Sequence, residues 1–264
     1  MKDFRLARWR VLVDEALPGP GNMARDHALL TSLGTDEATL RIYKWKYPTV
    51  SFGRHERVRG RYDRELAAQR GIGFVRRPTG GKAVYHDREL TYSVVFPLAR
   101  RWGIRHIYKE INRAFLEALL SLGVPAIAAQ LVQEYSPGRS LDFCFQDYME
   151  GELIVEGKKL VGSAQVRERG SILQHGSLLI GQGQECLQAL CIAGGYDMTV
   201  PGPTSLVEIM EREPSWEDLV LAVMGGFRSV FGGDWSEEGL RENEQEAEAH
   251  FLKRYASDEW TWRK

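Results

Sequence analysis

Residues 152–180 read ELIVEGKKLVGSAQVRERGSILQHGSLLI, and this stretch decides the fold. Three runs, Glu152–Val155, Lys159–Val166 and Ser171–Ile180, are rich in Val, Ile and Leu and are separated by Glu156-Gly157 and Arg169-Gly170. A polar residue followed by glycine suits the tight turn that reverses one strand into the next. The stretch therefore predicts a meander of three antiparallel strands. Such a unit is not stable alone, so the rest of the chain must supply further strands and a covering layer.

Working outward, Ile104–Leu122 is the clearest helix. Ile104, Ile107, Tyr108, Ile111, Phe115, Leu119 and Leu122 fall on one face, and Gly123 follows as a stop. Pro18–Gly21 reads as a breaker, after which Asn22 caps a helix carrying Met23, Ala24, His27 and Leu30. Tyr62–Arg70 is a short helix closed by Gly71, and Glu185–Ile192 is helix-like. Further strands are expected at Arg10–Val13, Ala38–Trp45, Thr49–Arg54, Ile72–Arg77, Lys82–Tyr85 and Leu90–Phe96. Ser215 with Asp218 forms a capping signal for Trp216–Phe231, and a charged helix is expected over Ser236–Tyr255. The pattern is that of an α/β (α+β) protein, a mixed, largely antiparallel sheet flanked by helices. Pro201–Pro214 is the only linker-like stretch. It divides a catalytic domain, 1–214, from a C-terminal helical extension, 215–264, expected to pack on it.

Composition narrows the class. The 264 residues are 43% hydrophobic and 27% charged, which supports one substantial core. Lys and Arg number 35 and Asp and Glu 36, for a net charge of -1, so bulk charge marks neither a nucleic-acid nor a membrane binder. Cys144, Cys186 and Cys191 are an odd set without a tetrahedral metal pattern, so neither a disulfide framework nor a metal site is expected. The first 17 residues break their apolar positions with charges, unlike a secretory signal, and no apolar run reaches the roughly 18 residues of a membrane span. The expectation is a cytoplasmic protein in a reducing compartment.

Four segments carry candidate chemistry. Arg76-Arg-Pro-Thr-Gly-Gly-Lys-Ala-Val-Tyr-His-Asp87 turns through Thr79, Gly80 and Gly81 between strands. Glycines there allow close approach of a ligand, and the cations suit an anionic or carbonyl-bearing one; the segment reads equally as a hairpin with solvated basic residues. Lys159-Leu-Val-Gly-Ser-Ala-Gln165 puts a lysine at the head of a strand whose next residues are small. A ligand chain can lie along Gly162, Ser163 and Ala164, and desolvation would favour a neutral amine, although most lysines are simply solvated. Cys144, between Phe143 and Phe145, is by composition more a small buried hydrophobe than a nucleophile. Cys186 and Cys191 receive no role. Residues 54–64 hold five arginines, which read as a solvated loop or as a docking patch for an acidic partner.

Together these segments resemble the biotin/lipoate protein ligase and octanoyltransferase superfamily. The resemblance is carried by Arg76 to Asp87, then Glu89-Leu-Thr-Tyr-Ser, Lys159-Leu-Val-Gly-Ser-Ala-Gln and Gln174-His-Gly-Ser-Leu-Leu, together with the earlier Met23-Ala-Arg-Asp-His-Ala and Tyr47-Pro-Thr-Val-Ser-Phe-Gly. The matches run from about 23 to 180 in family order. They imply a catalytic domain of the class II synthetase and biotin ligase type. The ligase branch uses ATP and Mg²⁺ and commonly has a third glycine where Lys82 stands here. The transferase branch uses no nucleotide and passes the acyl group through a cysteine thioester. Cys144-Phe145, followed by Glu152-Leu-Ile-Val-Glu-Gly-Lys-Lys159, resembles the arrangement of one transferase group, whereas Gln146–Gly151 depart from its usual insert.

What the resemblance implies is an octanoyltransferase of lipoate biosynthesis that requires no cofactor. Cys144 would be the nucleophile and Lys159 its partner and later base. Gly80, Gly81, Ser163 and Ala164 would wall an acyl tunnel, with Arg76, Thr79, His86, Gly162 and His175 also binding substrate. The donor would be octanoyl-acyl carrier protein, and the acceptor a lipoyl domain or a glycine cleavage H-type protein. A monomer is expected, with no nucleic acid or membrane partner. The competing readings are an ATP-dependent lipoate ligase, an octanoyl amidotransferase between carrier proteins, and a non-catalytic carrier-binding module.

Overall fold

In a computed structural model of the chain, residues 8–98, 103–129, 151–192 and 202–264 are described. Along the chain the elements are β1 (Arg8–Val13), α1 (Gly19–Ser32), β2 (Glu37–Tyr43), β3 (Thr49–Phe52), α2 (Arg64–Gln69), β4 (Gly73–Arg76), β5 (Val84–His86), β6 (Glu89–Pro97), α3 (Ile104–Ser121), β7 (Ile127–Ala128), β8 (Leu153–Val155), β9 (Lys158–Glu168), β10 (Ser171–Leu179), α4 (Cys186–Leu190), α5 (Leu206–Met210), α6 (Trp216–Phe231), β11 (Asp234–Glu237), α7 (Glu242–Tyr255) and α8 (Asp258–Thr261).

The expected meander is present as β8, β9 and β10. Glu156 and Gly157 both adopt positive φ, as do Arg169 and Gly170, which is what a two-residue turn of type I′ requires. β10 pairs antiparallel with β6, and β6 with β2, so the meander becomes three strands of an eight-stranded sheet ordered β11-β1-β2-β6-β10-β9-β8-β7. Within this sheet, among the described residues, only the β11–β1 and β1–β2 pairs run parallel. Every residue of β2 and β6 is buried, because helices cover both faces. On one face Tyr92 and Phe96 pack with Phe115 of α3 and Phe227 and Phe231 of α6. The other face carries α1, against which α7 is laid. A second sheet, ordered β4-β3-β5, stands beside it.

Two expectations need correction. The helix at Asn22 begins at Gly19 with Pro18 as its N-cap, because a proline in the first turn forfeits no hydrogen bond there. Asn22 instead bonds outward, giving its amide to the carbonyls of Leu17 and Lys44. The expected helix over Ser236–Tyr255 starts only at Glu242, and Asp234–Glu237 form a parallel edge strand on β1, with Trp235 stacked on Trp9 at 4.7 Å. A four-residue polar edge strand has no apolar alternation to reveal it. Among the described residues, no helix is long and apolar enough to cross a membrane.

Candidate active site

Where the small sheet faces the large one, a cleft opens. Ser51 of β3 and Val84 and His86 of β5 form one wall, and Gly162, Ser163 and Ala164 of β9, with His175 to Ser177 of β10, form the other. The register puts Gly162 opposite Ser177 and Ala164 opposite His175, so two of the smallest side chains share the cleft face with two polar ones. Ser163 turns to the opposite face and bonds the Tyr92 hydroxyl at 2.7 Å. Burial pushes that phenol up to about 12, which keeps it a neutral donor and acceptor.

Beneath the cleft lies a buried charge pair. Arg41 of β2 gives Nη1 to Asp26 of α1 at 2.7 Å and Nε to Asp14 at 2.5 Å, and Asp26 is fully buried. Asp26 also accepts from Ser93, Tyr43 and His175. Burial alone would raise this carboxyl, but Arg41, His175 and Ser93 outweigh it and hold it below its ordinary value. His175 bonds Thr79 through Nε2 at 2.7 Å and Asp26 through Nδ1 at 3.0 Å. Its burial depresses its pKa despite Asp26, so it is a neutral ring linking cleft wall, glycine loop and helix.

The arginine-rich loop separates its two arginines. Neighbours on an extended chain point oppositely, and the structure uses both directions. Arg77 enters the cleft side, bonding Ser51, the Gly80 carbonyl and the Lys82 carbonyl. Arg76 turns away and donates to the carbonyls of Gly53, Glu56 and Thr261. It therefore supports the loop from behind and does not line the cleft. Gly80 and Gly81, expected as wall, are not among the residues that line the cleft; they form its lip, with the Gly80 carbonyl held by Arg77 and Gly81 at positive φ. A Cβ on Gly53 would sit 1.8 Å from the Gly81 oxygen, so only glycine lets these loops meet.

Residues 54–64 are only partly a solvated loop. Val58 is buried, Arg59 donates to the Trp262 carbonyl and Arg64 pairs with Asp258, while His55 and Arg57 remain exposed. Glu56 folds inward to accept from the backbones of Gly53 and Ala83, and burial raises its pKa.

Lys159 is buried on β9 with its Nζ 2.8 Å from Glu152, itself buried at the start of the meander. A register irregularity between Leu153 and Ile154 accompanies this pairing. Cys144 lies outside the described residues. Cys186 and Cys191 are half-buried near α4, packed against Tyr62 and Tyr85 in a cluster that lies apart from the cleft.

The family model of the lipoyl protein ligase A/B catalytic domain matches residues 19–228. The chain belongs to that family. It is 37% identical to the octanoyltransferase LipM of Kyrpidia tusciae over 97% of this chain and 99% of that protein. Against the octanoyltransferase LipM of Symbiobacterium thermophilum the identity is 35%, over 97% and 98%. Among solved structures, a bi-partite lipoate protein ligase from Thermoplasma acidophilum superposes with a TM-score of 0.80 at 23% identity, covering 97% of this chain and 96% of that one. That likeness speaks for the fold alone, which is class II synthetase-like.

In this lipoyl ligase A/B domain, the sequence-predicted Thr79, His86, Gly162, Ser163, Ala164 and His175 converge on or beside the cleft, whereas Arg76 stands behind it. Sequence reasoning assigned no role to Asp26, Arg41, Ser51 or Glu89, and gave Arg77 only as one of the cations of its loop, although all but Arg41 fall within the quoted motifs. The signal was available in one form: a charged residue inside an apolar strand, such as Arg41 in EATLRIY, must find a buried partner.

Proposed function

We propose that this chain is an octanoyltransferase of lipoate biosynthesis, taking its acyl group from acyl carrier protein through a thioester on Cys144 and delivering it to a lysine of a lipoyl carrier domain. The observation that carries this reading is the cleft floored by Gly162 and Ala164, on the strand that also holds Lys159 buried against Glu152. Small residues leave room for an unbranched chain, and burial contributes about 0.8 kcal/mol per methylene, on the order of 5 kcal/mol for an octanoyl tail. The names of the relatives, octanoyltransferases matched end to end, support the same chemistry.

In the proposed reaction the Cys144 thiolate attacks the donor thioester, and the carrier thiolate leaves, taking the proton of the Lys159 ammonium so that a neutral amine remains there. An ammonium at Lys159 favours the thiolate electrostatically. The acceptor amine then attacks the acyl-cysteine, an amide forms, the Cys144 thiolate departs, and Lys159 takes the amine proton. Thioester exchange is nearly balanced in energy and amide formation is downhill, so no nucleotide enters. The exposed His55, Arg57 and Lys82, with half-buried Arg54, sit on loops joined by the Arg54 to Thr79 and Ala83 to Glu56 hydrogen bonds. This basic lip suits an acidic carrier.

Incubation with octanoyl-acyl carrier protein, without ATP, tests the reading by mass spectrometry. The wild-type chain should gain one octanoyl group on Cys144, labile to hydroxylamine, and Cys144→Ser should gain no such labile adduct. Acylation of Cys186 or Cys191 instead would refute the assignment. One rival, an ATP-dependent lipoate ligase, predicts lipoyl-AMP from lipoate and ATP and indifference to Cys144→Ala.

A further inference from the structure

One cleft wall holds a hydrogen-bonded chain that the thioester route leaves unused. Oε1 of Glu89 faces His86 Nδ1 at 2.7 Å, Thr91 Oγ1 at 2.5 Å, Ser177 Oγ at 2.8 Å and Trp45 Nε1 at 3.2 Å. These neighbours are donors, so the proton between Glu89 and His86 belongs to Nδ1. In the neutral form of the ring, the other nitrogen then carries a lone pair. It lies 2.7 Å from Ser51 Oγ, which donates to it. The ring cannot turn away, because it is stacked on Trp45 at 4.0 Å and 13°. Arg77 brings Nη1 to 3.1 Å from the same Ser51 oxygen, a cation placed where a hydroxyl losing its proton gathers negative charge.

Hydroxyl, imidazole base and orienting carboxylate, in that order, are the requirements of an activated serine. A merely structural serine needs one partner; Ser51 has a base and a cation, and both Ser51 and His86 line the cleft beside Gly162 and Ala164. We propose that Ser51, His86 and Glu89 form a second acyl-accepting centre, at which the chain cleaves activated medium-chain acyl esters without a thiol. The choice of acyl chain rests on the octanoyltransferase reading; the serine centre itself does not. In the first step Ser51 Oγ bonds the acyl carbon, His86 takes the hydroxyl proton, and the ester oxygen leaves with that proton as the alcohol. Water then attacks the acyl-serine, giving its proton through His86 to Ser51, and the fatty acid is released.

The test uses 4-nitrophenyl octanoate and the Cys144→Ala chain, so that thiol chemistry is absent. Acid quenching and peptide mass spectrometry should locate one octanoyl group on the peptide carrying Ser51. In the same background Ser51→Ala and His86→Gln should each lower nitrophenol release about a hundredfold. No adduct, an adduct elsewhere, or release unchanged by Ser51→Ala overturns the proposal. The adduct is read on an unsubstituted Ser51, so misfolding of a serine variant does not spoil the result. Transfer from octanoyl-acyl carrier protein is measured separately on the wild-type chain. Its failure refutes the transferase reading and leaves a Ser51 adduct standing; intact transfer with no Ser51 adduct refutes only the serine centre.

Discussion

Gly53→Ala probes the seam that forms the cleft lip. The added methyl would lie 1.8 Å from the Gly81 oxygen and 2.8 Å from the Gly81 carbonyl carbon, both backbone atoms that no rotamer change can move. Restoring ordinary contact requires the loops to part by about 1.6 Å. Across that seam run the Arg54 amide to the Thr79 carbonyl at 2.7 Å and the Ala83 amide to Glu56 at 3.1 Å. Losing two such bonds, with partners left in a buried place, costs about 3 kcal/mol. Urea unfolding should show the midpoint falling by about 1 M for a slope of about 3 kcal/mol/M. Octanoyl transfer should fall with it, because the same movement withdraws Gly80 and Gly81 from Arg77. Gly34→Ala is the control, since nothing lies within 4 Å of its methyl, and it should stay within about 0.5 kcal/mol of the parent. A Gly53→Ala midpoint within about 0.2 M of the parent, with full transfer, would refute the reasoning.

Further outcomes follow from the same geometry. Glu152→Ala removes the carboxylate 2.8 Å from buried Lys159 and should cost about 3–5 kcal/mol in urea unfolding. His175 and His27 both have pKa values lowered by burial from the ordinary 6.5, so the unfolded chain binds their protons more readily. Their contribution is fully present above pH 6.5 and is lost as pH falls from there through the lower folded values. The slope reaches about 1.4 kcal/mol per pH unit for each histidine. A urea series from pH 8 to 5 should reveal the decline and His175→Gln should flatten part of it; a flat parental curve would contradict the burial argument. Arg54→Glu combined with Lys82→Glu should raise KM for octanoyl-acyl carrier protein at least about fivefold and remove its salt dependence. The same pair should leave KM for a small octanoyl thioester unchanged, and an equal rise for both donors would rule out carrier docking at the lip.

What the sequence made legible was whatever repeats with a short period. The meander announced itself through Glu156-Gly157 and Arg169-Gly170, and α3 through its apolar face and Gly123. The small residues of β9 were legible as cleft wall because their size is their function. Buried charge was not. Arg41, inside a strand, calls for a buried partner without naming it, and only the packing of α1 brings Asp26 and Asn22 over it. The adjacent Arg76 and Arg77 read as one cationic unit, yet strand alternation sends them to opposite sides of their loop. Ser51, His86 and Glu89 come from three strands: the pairing of β3 with β5 brings Ser51 to His86, and the turn from β5 into β6 brings Glu89 to the same ring. Polar edge strand β11 left no pattern at all.

The pairing of β1 with β11 has a consequence for how the chain is made. Arg8 to Val11 of β1 find their outer partner only when Asp234 to Glu237 have been synthesised. At ordinary translation rates that interval is roughly 10–45 s. Throughout it, a strand reading RWRVLV has one ladder edge without its final neighbour, and Trp9 is without the indole of Trp235. Such an edge invites pairing with another nascent chain. The local meander of β8 to β10 can form early, whereas closure of the sheet waits on the strand pair most distant in sequence among the described residues. Slowing or pausing synthesis between residues 13 and 234 should therefore increase aggregation even though the finished protein is unchanged.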